Sequence, residues 1–240
     1  WMNKYFIQKP SEQLEAFSYE VTEEKAVVTM HKYFGCLNQP WGYETIYEYT
    51  VYPCGQVKVH LDAKSVQNGK LEPPFLPRLG IIMKADKELQ NTVWHGRGFG
   101  ENYADTKAAC PVGIYRSTVD GMGTNYVFPQ ENGHREDVRW FGIGNGVESM
   151  LCTMEAPLGI NISNYTDEMI EEAKHPWQLK KADDVIIHLD YLQSGVGSNS
   201  CGEEQLEEYK VKRQDFVMAF TMQIVNAGTE IDEAGKKYQD

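Results

Sequence analysis

"VKVHLD", Val57 to Asp62, decides the class of fold. Val57, Val59 and Leu61 alternate with Lys58, His60 and Asp62, so one side of the segment is apolar and the other polar. Successive side chains of an extended strand point to opposite faces, whereas a helix needs apolar residues every three to four positions. The segment therefore reads as a half-buried strand of the kind found in an antiparallel sheet with one solvated side. The same period recurs on either side of it. Phe17, Tyr19 and Val21 alternate with Ser18 and Glu20, and Tyr47, Tyr49 and Val51 with Glu48 and Thr50. Further on, Val185, Ile187, Leu189 and Tyr191 repeat it, as do Phe216, Met218, Phe220, Met222 and Ile224. Turn residues separate these runs at Glu23-Glu24-Lys25, Pro53-Cys54-Gly55, Gln67-Asn68-Gly69 and Glu131-Asn132-Gly133.

One segment, "TDEMIEEAKHP", has helical character. Thr166 suits the N-cap, and Asp167 and Glu168 suit the positive end of the helix dipole. Met169, Ile170 and Ala173 share a face, Lys174 and His175 suit the far end, and Pro176 stops the helix. One short helix among many strands predicts a mostly-β domain, a sandwich or a barrel. No repeat or linker divides it, so residues 1–225 are expected as one domain, with 226–240 as a polar tail. The opening Trp1-Met2 reads as the start of a piece cut from something longer, which leaves the compartment open between cytoplasm and periplasm.

The formal charge of -12, with Lys and Arg scattered, argues against nucleic acid and against an anionic membrane surface as partners. No run approaches the roughly 20 apolar residues that a membrane-spanning helix needs. The five cysteines, Cys36, Cys54, Cys110, Cys152 and Cys201, contain no C-x-x-C pair and are expected as free, half-buried thiols. Asn161-Ile-Ser163 and Asn164-Tyr-Thr166 fit the short N-glycosylation pattern.

"WHGRGFGENYAD", Trp94 to Asp105, places glycines at 96, 98 and 100. Its G-x-G-x-G spacing, the acidic residues that follow and the lack of a βαβ context exclude a phosphate cradle. The six histidines show no H-x-H or H-E-x-x-H spacing, and His60 and His188 fall on the polar faces of strands, where solvated histidines are expected. Glycoside hydrolysis needs two carboxyl groups on opposite sides of the scissile bond. Glu101, Asp105, Glu131 and Asp190 are available for such a pair, although residues of this kind more often tie loops together by accepting hydrogen bonds from backbone N–H groups or Arg. "NYVFPQENGHRED" (Asn125 to Asp137) and "HLDYLQSGVGSNSCG" (His188 to Gly202) are further polar loops of the kind that carry ligand contacts on a β scaffold.

Six segments in order are "LPRLG" (Leu76 to Gly80), "WHGRGFGENYAD", "YVFPQENGHRED", "NISNYT" (Asn161 to Thr166), "HPWQL" (His175 to Leu179) and "HLDYLQSGVGSNSCG". Together they resemble the C-terminal β domain of the multidomain bacterial β-galactosidases of glycoside hydrolase family 2, which also forms much of the small subunit in two-chain versions. The resemblance runs from about Phe17 to Val225. It implies a large antiparallel β supersandwich of galactose mutarotase-like fold, with jelly-roll, immunoglobulin-like and TIM-barrel parts elsewhere in the enzyme. It also implies hydrolysis of terminal β-galactosides such as lactose with retention, by two glutamates on the barrel. The Mg2+ and Na+ of the family would be held there too, so no cofactor and no catalytic residue is expected in this chain.

The partners implied are the other domains or the large subunit, the galactoside, and further copies in a homo-oligomer. Family-motif loop residues are Arg97, Glu101, Asn102, Tyr103, Asp105, Glu131, Asn132, His134 and Asp190. Met154 aligns where an apolar platform for the sugar is expected, and Trp140, the nearest tryptophan, is open to that role or to a place in the core. Thr106 departs from the motif, which usually continues with Arg. Two other readings remain: an independent carbohydrate-binding module with an exposed aromatic platform, and a mutarotase-like enzyme using His134 and Glu131.

Overall fold

The computed structural model describes residues 2–36, 39–67, 69, 72–197, 202–225 and 231–237. Trp1, Asn68, Cys201, residues 198–200 of the last motif and residues 226–230 and 238–240 of the expected tail lie outside them. The chain forms two compact units, one of residues 1–77 and 211–223, the other of residues 78–210 and 224–240.

In the first unit, β1 (Pro10–Val21), β2 (Ala26–Cys36), β3 (Trp41–Val51) and β4 (Val57–Gln67) follow one another as an antiparallel meander. The second unit holds β5 (Arg78–Asp86), β6 (Asn91–Arg97), β7 (Val112–Thr118), β8 (Arg135–Gly144), β9 (Ser149–Ser163) and β10 (Asp184–Gln193). They pair in the order β7-β6-β8-β9-β10-β5, antiparallel throughout. Finally β11 (Phe216–Val225) pairs with β4, adding a fifth strand to the first unit. The mostly-β, antiparallel class predicted by the alternation is the observed one.

Strand β4 behaves as its sequence predicts. Val59, Leu61 and Ala63 are buried and His60 and Asp62 are half-exposed. Other strands depart from the simple pattern. Strand β1, the outermost strand, pairs only with β2 and is exposed along its whole length, on both faces. Strand β10, paired on either side with β9 and β5, is buried on both faces from Val185 to Asp190, with Arg78 and Asp167 lying over His188. His188 is therefore buried, not solvated. In β11 the alternation slips beyond Met222, where pairing with β4 ends: Ile224 is exposed and Val225 is buried.

Short helices are more numerous than the sequence implies. Besides the expected one, α3 (Asp167–Glu172), there are α1 (Met2–Tyr5), α2 (Val119–Met122) and α4 (Ile231–Lys236). The Thr166 hydroxyl accepts a hydrogen bond from the Met169 N–H, so α3 is capped as its sequence predicts. Helix α4 lies within the stretch expected as a loose tail, and Ile231 packs against Val93, Trp140, Leu151 and Val225. The partly buried Ile231 side chain and the close approach of Gly235 to the Trp140 ring hold this turn against the second unit's core.

Trp140 is 1% exposed inside this cluster, so it belongs to the core and offers no face to a sugar. Asn161 and Asn164 are buried and bonded internally, which removes them as glycan acceptors. Cys36 and Cys152 are buried, Cys110 is half-buried and Cys54 exposed, all as free thiols. Among the described residues no helix is long and apolar enough to cross a membrane.

Candidate functional site

The motif segments, far apart in sequence, meet at one place in the second unit. Arg78 opens β5, Tyr103 follows the glycine-rich turn, and Glu131 and His134 precede β8. Asn161 lies on β9, Asp167 begins α3, and His188, Asp190 and Gln193 are on β10.

Arg78 is the hub. Its Nη1 donates to His188 Nδ1 at 2.6 Å, and its Nη2 donates to Gln193 Oε1 at 2.8 Å and reaches Glu131 Oε1 at 3.4 Å. Since a guanidinium only donates, His188 Nδ1 must accept. The remaining ring proton then sits on Nε2, 3.4 Å from Asp167 Oδ1. Glu131 Oε1 also accepts from the Tyr103 hydroxyl at 3.3 Å and from Asn161 Nδ2 at 3.2 Å.

Behind this layer His134, fully buried, lies 3.1 Å from Glu136 Oε1 through Nε2 and stacks on Tyr103 with ring centroids 5.4 Å apart. Asp190 Oδ2 is 3.6 Å from both Arg78 Nη2 and His134 Nδ1, too far for a hydrogen bond to either.

Burial sets the electrostatics here. It raises the Asp190 carboxyl above its ordinary range, and the nearby positive charge, that of Arg78 most of all, only partly offsets this. For Arg78, burial acts to lower the value, but the Asp190, Glu131 and Asp167 carboxylates outweigh it and the net shift is upward. Burial also opposes ionisation of Glu136 and Asp167, yet their histidine partners win and both end below the usual range. The cluster thus consists of charges and imidazoles that face one another, with Asp190 Oδ2 and His134 Nδ1 left without a hydrogen-bond partner.

The glycine-rich segment braces the neighbouring loop. A side chain at Gly96 would meet Val138, and one at Gly98 would meet the Tyr115 ring. Arg97 bonds Asp137 Oδ2 at 2.5 Å and donates to the carbonyls of Lys107 and Cys110 at 2.9 Å. Glu101 accepts from the Gly133 N–H at 2.8 Å and from the Tyr126 hydroxyl. Asn102 Oδ1 accepts from the Glu136 N–H at 2.9 Å, and Asp105 Oδ2 from the Gly197 N–H at 2.7 Å. Asn132 receives the Thr124 N–H at 3.1 Å. At Thr106, where Arg is usual, the hydroxyl instead accepts from the Tyr103 N–H at 2.9 Å.

Buried Arg135 donates to the carbonyls of Gly133 and Met122, and burial pulls its guanidinium down against the influence of Glu101. Glu101→Ala removes an ionised acceptor of two hydrogen bonds and that counter-charge. It is expected to destabilise the chain by about 2–4 kcal/mol in denaturant unfolding, with Glu101→Gln retaining most of the stability.

Of the residues singled out from sequence, Tyr103, Glu131, His134 and Asp190 join the cluster, while Arg97, Glu101, Asn102, Asp105 and Asn132 brace the loops around it. Met154 lies half-buried on β9. Arg78, Asp167, His188 and Gln193 were not singled out as site residues. The available signal for Arg78 was its place inside "LPRLG". Among the described residues no group of three or more His, Cys, Asp or Glu is arranged to hold a metal ion. Glu131 and Asp167 face Arg78 and His188 respectively.

A family profile described as "Beta galactosidase small chain" matches residues 1–223. The β-galactosidase of Kluyveromyces lactis is 32% identical over 200 residues, covering 82% of this chain and 19% of that protein. That of Actinobacillus pleuropneumoniae is 31% identical over 174 residues, covering 72% and 16%. The chain therefore spans less than a fifth of the length of these relatives. Among solved structures, a galactose 1-epimerase from Lactobacillus acidophilus NCFM aligns with a TM-score of 0.45 at 8% identity, over 88% of this chain and 66% of that one.

Proposed function

The chain belongs to the β-galactosidase small-chain family, and on that premise we propose that it serves a retaining β-galactosidase as an accessory domain. It completes the wall of the sugar site and holds the enzyme's parts together. The two catalytic glutamates, and the Mg2+ and Na+ beside them, belong to a barrel outside this chain. The substrate is a terminal β-D-galactoside of the lactose type, and the assembled enzyme is a homo-oligomer.

One observation carries this reading: the acid–base groups of the motifs are engaged with one another. A retaining glycosidase needs two carboxyl groups about 5–5.5 Å apart with room for a sugar between them. Here Asp190 is 1% exposed, Glu131 is bonded to Arg78, Tyr103 and Asn161, and Glu136 faces a buried imidazole. A mutarotase-like role for His134 with Glu131 finds no support either, because the partner of His134 is Glu136. Met154 is the remaining candidate in this chain for an apolar contact with the sugar.

The reading predicts no turnover of nitrophenyl β-galactoside by the purified chain above the spontaneous rate. Adding the barrel-bearing part of the enzyme should raise its rate at least tenfold. Turnover by the chain alone, or no response on mixing, overturns it.

A second reading, a stand-alone carbohydrate-binding module, is favoured by Trp177. Its ring is 77% exposed and stacked on His175, with centroids 4.2 Å apart and planes within 9°. Calorimetric titration of the chain with galactose and lactose separates the two, since heat of binding to the isolated chain is expected only from a module.

A further inference from the structure

The five-stranded sheet of the first unit has one apolar face, and that face is uncovered at one end. Directly opposed residues of antiparallel strands project to the same side. One such row runs Phe17–Met30–Tyr47–Leu61–Met218 across β1, β2, β3, β4 and β11. Rows beginning at Tyr19 and Val21 lie beside it and are apolar in the same way, whereas the interleaved row Ser18–Thr29–Glu48–His60 on the other face is polar. Burial falls steadily along the apolar face. Leu61 and Met218 are buried, Met30 and Tyr47 are half-buried, and on β1 Phe17, Tyr19 and Val21 are 56%, 71% and 68% exposed.

We propose that the outer half of this face, Phe17, Tyr19 and Val21 backed by Tyr47 and Tyr49, docks an apolar surface of the β-galactosidase polypeptide outside this chain. The proposal rests on the accessory-domain reading above. Four observations select this occupant. The rows continue without interruption from buried core, so the exposed part has the composition of an interior. The aromatic rings already lie against one another, Phe17 and Tyr19 with centroids 6.2 Å apart and Tyr47 and Tyr49 stacked at 6.3 Å. Such anchors lose little freedom on binding.

Charge on the face is also neutralised internally. Lys32 pairs with Glu12 at 3.1 Å and lies over the Tyr47 ring, which favours an uncharged partner surface. Finally, the relatives extend over five times the length matched here, so a large protein surface accompanies this domain. A second copy is the less suitable occupant, since each chain carries a charge of -12.

The test is the double substitution Phe17→Thr, Tyr19→Thr, which keeps strand propensity and removes two exposed rings. The variant chain should keep the circular dichroism and melting temperature of the wild type. It should bind the rest of the β-galactosidase about a hundredfold more weakly, or worse. Glu20→Gln, on the polar face, should bind normally. Equal binding by the double variant overturns the docking surface, and so does a lower melting temperature of the variant alone, which would place the rings in the chain's own core. A wild-type dimer that the variant dissolves, with assembly unchanged, overturns it in favour of a second copy. Failure of the wild-type chain itself to bind overturns the accessory-domain reading together with this one.

Discussion

Arg78→Met is expected to destabilise the chain by about 3–5 kcal/mol, the cost typical of removing one partner from a buried charged pair. Asp190 is almost wholly buried, its Oδ2 has no hydrogen-bond partner, and Arg78 is the largest positive influence on it. Without the guanidinium, His188 Nδ1 and Gln193 Oε1 lose their donor at the same time. Denaturant unfolding measures the loss, and adding Asp190→Asn to the variant should recover part of it, since the uncompensated charge is then gone.

The pH dependence follows from the direction of the Asp190 shift. A carboxyl whose folded-state pKa is raised binds its proton more tightly folded than unfolded. Its own contribution to stability is therefore greatest below the unfolded value of about 3.9 and declines as pH rises through the folded one, opposite to that of Glu136 and Asp167, whose lowered values make them lose stability as pH falls. Removing Arg78 raises Asp190 further, so the deficit of the variant should narrow as pH is lowered toward 4. A deficit under about 1 kcal/mol at neutral pH, or one independent of pH, would show that Arg78 does not compensate Asp190.

Gly80→Ala should cost about 3 kcal/mol or more, lowering the melting temperature by about 6–12 °C. A methyl group there would lie 2.2 Å from the Leu189 carbonyl oxygen and 2.8 Å from the Asp190 Cα. Both are backbone atoms of the paired strand β10, so neither can rotate aside, and β5 must separate from β10 where Asp190 faces Arg78. Hydrogen exchange should accordingly quicken in the β5–β10 amides. Gly100→Ala is the control, with nothing within 4 Å of the added methyl. Comparable melting of the two variants would remove the close-approach explanation.

Gly80 also shows how much of the site was legible beforehand. "LPRLG" stood out as a family segment, but neither Arg78 nor Gly80 has a local pattern that states its job. His188 was misread for a related reason. Its alternation with Ile187 and Leu189 correctly indicated a strand and a second face, but alternation carries no information about what covers that face. Asp167 was read as a helix-dipole residue, which its position at the start of α3 satisfies, while its contact with His188 was invisible.

Features governed by neighbours a few residues away were determined by sequence alone. These are the period-two strands, the antiparallel class, the Thr166 cap, the turn residues and the order of motifs that identifies the family. Tertiary structure alone decided which faces are covered. It closed Trp140 into the core, buried β10 on both sides and left β1 bare. It also brought Arg78 to His188, 110 residues away, and to Gln193, 115 away. The physical reason is that strand periodicity records only which side a residue faces. Burial, and with it the protonation of Asp190, depends on groups that reach that side from distant parts of the chain.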